Sequence, residues 1–100
     1  MSDQIFTSWD GLKWFKHDRG ICPREKNVLR TIQSLTDAKS VFVDVGAHIG
    51  FYTVRLALKC KHVHAVEPNP ESAYILRRNL ELNNIKNLSL IHISEPTRRS

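Results

Sequence analysis

The sequence contains no long run of apolar residues. No segment approaches the roughly 20 consecutive apolar residues that a membrane-spanning helix needs. Residues 1–4 also lack the charged start and apolar core of a secretory signal peptide. These two absences predict a cytoplasmic protein with no membrane partner.

Cysteine is scarce in this chain. Cys22 and Cys60 are the two cysteines, they stand far apart, and neither has a neighbouring Cys or His at zinc-ligand spacing. His62 and His64 fall on one face of a predicted strand, but no third ligand accompanies them. We therefore predict two free thiols in a reducing compartment and no metal site.

Glycine and proline are also sparse, with four of each among 100 residues, and this excludes a fibrous or low-complexity chain. The composition of 41% hydrophobic and 25% charged residues is typical of a folded protein, and the length allows at most one domain. A formal net charge of +5 would favour nucleic acid or another acidic partner. Because the basic residues are scattered and form no dense run, an ordinary solvated surface is the simpler interpretation of this charge.

The N-terminal segment 1–22 is rich in aromatic and basic residues. Its aromatic residues are Phe6, Trp9, Trp14 and Phe15. A turn signal at Asp10-Gly11 predicts a short hairpin or an irregular cap. Base stacking or a substrate lid is one interpretation of this aromatic and basic cap. We favour the other, in which the aromatic side chains pin the segment onto the domain.

Beyond this cap, hydrophobic periodicity predicts three helices that alternate with three strands. Helices are expected over 23–37, 51–59 and 70–83, and strands over 41–45, 62–67 and 88–93. The segment 41–45 lacks polar alternation, which predicts a central strand covered on both faces. Strands separated by helices pair in parallel through right-handed crossovers. The predicted fold class is therefore α/β: a Rossmann-like half, consisting of a helix followed by β-α-β-α-β.

The predicted Rossmann-like domain covers residues 23–93, and an irregular tail covers residues 94–100. The tail has no apolar periodicity and cannot supply the remaining strands of a doubly wound sheet. We therefore expect a truncated domain whose native continuation need not include the tail.

Two polar segments follow the first two strands of the predicted sheet. Asp44 to Gly50 ends the first strand and Glu67 to Asn69 ends the second. Ligands of open α/β sheets lie beyond the carboxyl ends of the strands, so these segments should lie side by side at one edge. Gly46 and Gly50 allow a tight turn and a close approach to a ligand. Glu67 follows Gly46 at about the 20-residue offset at which an acidic residue binds a ribose, which predicts a nucleotide-type cofactor site.

The kind of cofactor follows from what the glycine loop lacks. A dinucleotide site needs G-x-G-x-x-G, whereas Gly46 is followed here by Ala47-His48-Ile49-Gly50, so the second glycine is missing. Asp44 would repel a diphosphate but would attract a cation such as the ammonium of a methionine moiety. S-adenosylmethionine combines this ammonium with a carboxylate for the next helix N-terminus and a ribose for Glu67. It fits these residues better than NAD or ATP.

The same residues resemble the FkbM-type S-adenosylmethionine-dependent methyltransferases. The resemblance lies within positions 39–92 and rests on Asp-Val-Gly-Ala-His-Ile-Gly at 44–50, Glu-Pro-Asn at 67–69 and Asn-Leu-Glu-Leu-Asn-Asn at 79–84. It implies a class I methyltransferase fold whose first loop surrounds the methionine part of the cofactor. The residues of this loop are Asp44, Gly46, Ala47, His48, Ile49 and Gly50. The resemblance further implies cofactor-binding positions at Thr53, beside the methionine carboxylate, and at Glu67, Pro68 and Asn69, on the ribose side.

The resemblance also implies a reaction, namely methyl transfer to a hydroxyl oxygen of a small molecule or a sugar. His48 departs from the family, which usually has Asn at this position. Class I methyltransferases place their catalytic residues after the third and fourth strands, so no catalytic residue is assigned here. Two alternatives remain open. One is an RNA methyltransferase, favoured by the positive charge and the aromatic N-terminus, and the other is a non-catalytic fragment that binds the cofactor or nothing.

Overall fold

The computed structural model describes residues 4–16 and 26–91. The elements in chain order are β1 (Ile5–Thr7), β2 (Lys13–Phe15), α1 (Lys26–Ser34), β3 (Val41–Val45), α2 (Phe51–Ala57), β4 (His62–Val66), α3 (Pro70–Leu82) and β5 (Leu88–Ile91). The outer parts of the predicted N-terminal cap, the predicted helix start at 23–25, the end of the last predicted strand and the tail at 94–100 lie outside the described residues.

Strands β3, β4 and β5 form a parallel sheet in that order. Val45 at the end of β3 lies opposite Val66 at the end of β4, which in turn lies opposite Ile91 of β5. The carboxyl ends of the three strands are therefore level with one another, and helices α2 and α3 make the two crossovers. The prediction of an α/β, Rossmann-like half with a parallel sheet is confirmed.

The helix boundaries follow the local sequence signals closely. Helix α3 begins at Asn69-Pro70 as predicted, because the Asn69 side chain accepts a hydrogen bond from the Ser72 N–H at 2.9 Å and Pro70 needs no partner at the first helical position. Two helices end earlier than predicted: α1 ends at Ser34 rather than near residue 37, and α2 ends at Ala57 rather than near residue 59. None of the helices in the described parts of the chain is long and apolar enough to cross a membrane.

The helices pack against one face of the sheet. Leu56 of α2 and Leu29 of α1 pack with Val63 of β4, while Leu76 of α3 packs with Ala65 of the same strand. Leu56, Val63, Ala65 and Leu76 are completely buried. Burial of a large apolar side chain contributes about 1.5–3 kcal/mol, so this layer between helices and sheet is the main source of stability.

The other face of β3 is open to solvent. Val41, Val43 and Val45 are 57%, 58% and 77% exposed, so the predicted central strand with two covered faces is wrong. The mistake has a physical origin. A run of β-branched residues forms a strand whether one face or both faces are buried, and the described helices cover only the opposite face.

The N-terminal strands β1 and β2 form an antiparallel hairpin that packs on α3. Trp14 and Phe15 are buried at 0% and 2% exposure. Asn83 holds the hairpin as a paired strand would: its Oδ1 accepts a hydrogen bond from the Lys13 N–H at 2.9 Å, and its Nδ2 donates to the Lys13 carbonyl at 2.8 Å. These contacts agree with the interpretation of the aromatic segment as a cap pinned to the domain. Trp9 is the exception, because it is 46% exposed.

Candidate cofactor-binding site

The glycine loop between β3 and α2 is fastened to the end of β4. The N–H groups of Gly46 and Ala47 both donate to the Val66 carbonyl, at 2.8 Å and 3.1 Å. Gly50 N–H then donates to the Ala47 carbonyl at 3.0 Å and closes the turn that leads into α2. The predicted neighbourhood of Asp44–Gly50 and Glu67–Asn69 therefore exists at the carboxyl edge of the sheet.

The loop adopts left-handed backbone at three positions. Gly46 has φ 75°, His48 has φ 54° and Gly50 has φ 107°. His48 is the one non-glycine residue of the three, and its side chain extends into solvent with 78% exposure. A Cβ at Gly50 would lie 2.6 Å from Leu76 Cδ1 and 3.1 Å from Val54 Cγ2, whereas a Cβ at Gly46 would meet nothing within 4 Å. Gly50 is therefore required both by its backbone and by close packing.

Glu67 joins the two polar segments. Its Oε1 accepts a hydrogen bond from the His48 N–H at 2.6 Å, and its Oε2 accepts one from the Asn69 N–H at 2.9 Å. The residue is only 3% exposed. A carboxylate has about four acceptor positions, so roughly two remain after these contacts. The structure thus gives Glu67 a role in shaping the loop, which the sequence did not reveal.

Asp44 lies at the start of the loop and is partly exposed to solvent. Its Oδ2 accepts a hydrogen bond from the Thr53 hydroxyl at 2.6 Å, and Thr53 is completely buried. Burial raises the pKa of Asp44 above its ordinary value, and the negative charge of Glu67 acts in the same direction. The Thr53 hydrogen bond and the charge of His48 oppose this rise. The Thr53 hydroxyl therefore orients the Asp44 carboxylate and lowers its pKa, while the direct cofactor contact of Thr53 stays a prediction.

The remaining predicted residues form the surroundings of these carboxylates. Ala47 and Ile49 are part of the loop and are buried, at 5% and 7% exposure. Pro68 and Asn69 are exposed and connect Glu67 to α3. In the described part of the chain no three His, Cys, Asp or Glu side chains are arranged to hold a metal ion.

The structure reveals a further residue behind the loop, Asn79 of α3. Asn79 is completely buried; its Nδ2 donates to the Ile49 carbonyl at 2.7 Å and its Oδ1 accepts from the Phe15 N–H at 2.6 Å. One amide therefore connects the glycine loop to the N-terminal hairpin. The signal in the sequence is a polar residue on an apolar helix face, since Asn79 follows Ile75 by one turn and is followed by Leu82.

A second buried polar group, Arg55 of α2, lies beneath the hairpin. Arg55 is 2% exposed and makes two hydrogen bonds to Asp10, Nε to Oδ2 at 2.6 Å and Nη2 to Oδ1 at 3.2 Å. Its guanidinium also lies 4.3 Å from the ring centroid of Trp9, 4.9 Å from that of Trp14 and 4.5 Å from that of Phe51. Sequence inspection missed Arg55, although a cation inside an apolar run is a recognisable signal.

The parallel sheet, the glycine loop and the acid that ends the second strand together define a Rossmann-like methyltransferase domain. Residues 21–97 match the family model described as the TRM5/TYW2 methyltransferase domain. Because the match covers most of the sequence, the chain belongs to this family.

Similarities to known proteins, in sequence and in fold, are consistent with this family assignment. The tRNA wybutosine-synthesizing protein 2 homolog of Danio rerio is 36% identical over 63 residues, which are 61% of this chain and 15% of the relative. The structure of M. jannaschii TYW2 in complex with AdoMet has a TM-score of 0.72 and 24% identity, and covers 90% of this chain and 42% of that one. Trm5b from Pyrococcus abyssi has a TM-score of 0.76 and 22% identity, with 93% and 28% covered. The chain thus spans less than half the length of each of these proteins.

These findings confirm one part of the sequence interpretation and correct another. The class of S-adenosylmethionine-dependent methyltransferase, and with it the cofactor, is confirmed. The predicted assignment to the FkbM family is wrong, because the family model and the relative belong to the TRM5/TYW2 type. The small-molecule or sugar acceptor was wrong for the same reason, since the relative is named for tRNA. The motifs at 44–50 and 67–69 describe a loop geometry, and this geometry does not determine the acceptor.

Proposed function

We propose that this chain is the cofactor-binding part of a tRNA-modifying methyltransferase. The observation that carries the proposal is the pair of carboxylates at neighbouring strand ends, Asp44 and Glu67, on either side of a glycine loop tied to Val66. Membership of the TRM5/TYW2 family and the tRNA in the relative's name support tRNA as the acceptor. The net charge of +5 is consistent with a polyanionic partner. The cytoplasmic location expected from the sequence stays a prediction.

The residues of the loop suit the parts of S-adenosylmethionine. We assign the ammonium to Asp44, because this carboxylate is partly buried and the Thr53 hydroxyl is its one hydrogen-bond donor among the described residues. The loop of Gly46, Ala47, His48, Ile49 and Gly50 would surround the methionine side. The remaining acceptor positions of Glu67 would take the ribose hydroxyls, beside Pro68 and Asn69. When bound, the cofactor supplies an electrophilic methyl group on its sulfonium, and the protein contributes chiefly by positioning.

Replacing Glu67 by glutamine tests the ribose assignment. We expect Glu67→Gln to weaken S-adenosylhomocysteine binding by about tenfold or more, which is about 1.4 kcal/mol, because an amide donor replaces a carboxylate oxygen. Titration calorimetry on the 100-residue chain measures this loss, and Glu81→Gln on the exposed side of α3 is the matched control. The wild-type protein should also discriminate against the 2′-deoxyribose analogue, while Glu67→Gln should not. If both proteins discriminated equally against the 2′-deoxyribose analogue, Glu67 would hold the loop but would not bind the ribose.

The pH dependence of cofactor binding tests the role of Asp44. Protonation of Asp44 removes its charge, so affinity for S-adenosylmethionine should fall as the pH drops through the raised pKa of this carboxyl. Thr53→Val removes a hydrogen bond that lowers the pKa, so the decline should begin at a higher pH than in wild type or in Thr53→Ser. Ionisation of Asp44 favours cofactor binding, but it disfavours folding. A carboxyl whose folded pKa is raised destabilises the fold when ionised, and this cost disappears as the pH falls from the folded pKa to the unfolded one. Superimposable binding profiles for Thr53→Val and Thr53→Ser would contradict this role.

A further inference from the structure

The two tryptophans of the hairpin differ sharply in their surroundings. Trp14 is completely buried and its Nε1 donates to the Ser8 hydroxyl at 2.9 Å. Trp9 is 46% exposed, although it lies only a few residues away in the same hairpin. A large ring that remains open to solvent beside a packed core is an available binding surface. Trp14 is fully used by the packing of the hairpin, whereas Trp9 packs on the buried Arg55 guanidinium and still leaves nearly half of its surface in solvent.

Trp9 forms one wall of a surface pocket of about 150 Å³. The pocket is lined by Trp9, Asp10, Lys26, Leu29, Arg30 and Gln33. Lys26 Nζ lies 4.3 Å from the centroid of the Trp9 ring. The pocket therefore combines an aromatic plane, two cationic side chains and an amide, all contributed by the hairpin turn and one side of α1.

The charge of this pocket is positive. Helix α1 contains Lys26 and Arg30 and no acidic residue. Asp10 is the one carboxylate of the lining, and it is paired with the buried Arg55. Burial acts to raise the pKa of Asp10, but the hydrogen bonds from Arg55 and Ser8 and the charge of Arg55 outweigh it and lower that pKa. Arg30 is therefore available to attract an anion, and Lys26 can join it by turning away from the Trp9 ring that its Nζ now contacts.

The pocket also contacts the helix that follows the cofactor loop. Trp9 lies against Phe51, with 6.4 Å between ring centroids, and Phe51 directly follows Gly50. Arg55, one turn further along α2, supports Trp9 from within and donates to the Phe51 carbonyl at 3.0 Å. Trp9 therefore contacts the first two turns of α2, directly after the loop that we assign to the methyl donor.

We propose that Trp9, Lys26 and Arg30 form a docking surface for unpaired nucleotides of the RNA substrate. A base stacks on the Trp9 ring in place of the Lys26 ammonium, and Lys26 turns to bind a flanking phosphate together with Arg30, which is a combination typical of single-stranded nucleic acid binding. This inference rests on the proposed function, because it takes tRNA as the acceptor. An acidic protein segment would use the cations but would not need the exposed ring.

Intrinsic fluorescence of the 100-residue chain reports on this surface directly. An in vitro transcribed tRNA should quench the exposed Trp9, and Trp9→Phe should bind the RNA with little quenching because only the buried Trp14 remains. Trp9→Ala should weaken binding by about tenfold through lost stacking, while Trp9→Phe preserves it. The folding of each variant is compared by circular dichroism.

The salt dependence of tRNA binding tests the two cations. Lys26→Ala and Arg30→Ala should each weaken binding and reduce the slope of log affinity against log salt by about 0.7–0.9, which corresponds to one phosphate contact. Lys86→Ala makes the same change on an exposed lysine that does not line the pocket and should leave the slope unchanged.

Three results would overturn the docking surface. The first is tRNA binding without quenching of Trp9 and with wild-type salt slopes in Lys26→Ala and Arg30→Ala. In that case tRNA would remain the proposed acceptor but would bind to another surface. The second is binding of poly-glutamate to the chain, seen as a change in Trp9 fluorescence, with no binding of tRNA, which would indicate an acidic protein partner. The third is a chain that binds S-adenosylmethionine in calorimetry but shows no affinity for tRNA, which would remove the proposed acceptor together with its surface.

Discussion

Replacement of Asn79 by alanine is expected to lower the free energy of unfolding by roughly 2–5 kcal/mol. The change leaves the Phe15 N–H and the Ile49 carbonyl without their buried partner, and each unsatisfied buried group costs about 1–3 kcal/mol. A small domain is stable by only about 5–15 kcal/mol, so this loss is large. Asn79→Asp keeps the acceptor for Phe15 but loses the donor to Ile49, and we expect it to be similarly destabilising.

Asn83→Ala is the matched control for this prediction. Asn83 caps the C-terminus of α3, one turn beyond Asn79, and also bonds to the hairpin, through the backbone of Lys13. Its site is partly exposed, so water can replace the lost contacts and the expected cost is about 1 kcal/mol. Urea unfolding measures both values. Equal destabilisation by Asn79→Ala and Asn83→Ala would show that burial of the Asn79 amide does not matter.

The order of helices and strands was predictable because each element has a local signal. The apolar spacing in α3, its Asn69-Pro70 start and the β-branched residues of β3 and β4 are properties of short segments. The positions of Asp44 and Glu67 were predictable for a related reason. Parallel strands place their carboxyl ends at one edge of the sheet, whatever the details of packing.

The buried polar contacts were not predictable in the same way. Asn79 and Arg55 find their partners in the N-terminal hairpin, at large separations along the chain, so no local pattern specifies the pairing. Both residues interrupt apolar helix faces, and this is the only sign that the sequence gives. The exposure of the valines of β3 likewise depends on which elements cover the sheet, a property of tertiary structure.

The family was mistaken because the most recognisable motifs encode the cofactor site. Gly46 and Gly50 give the turn its backbone, and Glu67 ends the second strand, in any methyltransferase that holds its cofactor in this way. The acceptor is selected by other surfaces, for which the sequence offers Trp9, Lys26 and Arg30 without a fixed motif. A loop motif therefore predicts the methyl donor better than it predicts the molecule that is methylated.

Replacement of Gly50 by alanine is expected to lower the free energy of unfolding by roughly 2–5 kcal/mol and to weaken S-adenosylmethionine binding. The backbone at φ 107° strains any residue with a Cβ by about 1–3 kcal/mol. The new methyl group would also lie 2.6 Å from Leu76 Cδ1, and Leu76 is completely buried, so it has little room to move. Overpacking of this kind costs a further 1–3 kcal/mol or so.

Gly46→Ala separates the two causes. Gly46 also has positive φ, but its Cβ would meet nothing within 4 Å, so only a backbone cost of about 1–2 kcal/mol is expected. Thermal or urea unfolding of both variants gives the difference that belongs to packing. Combining Gly50→Ala with Leu76→Val should recover part of the loss, because the shorter side chain withdraws the clashing methyl group. If Gly50→Ala cost no more than Gly46→Ala, close packing of the loop against α3 would be excluded as the reason for glycine at this position.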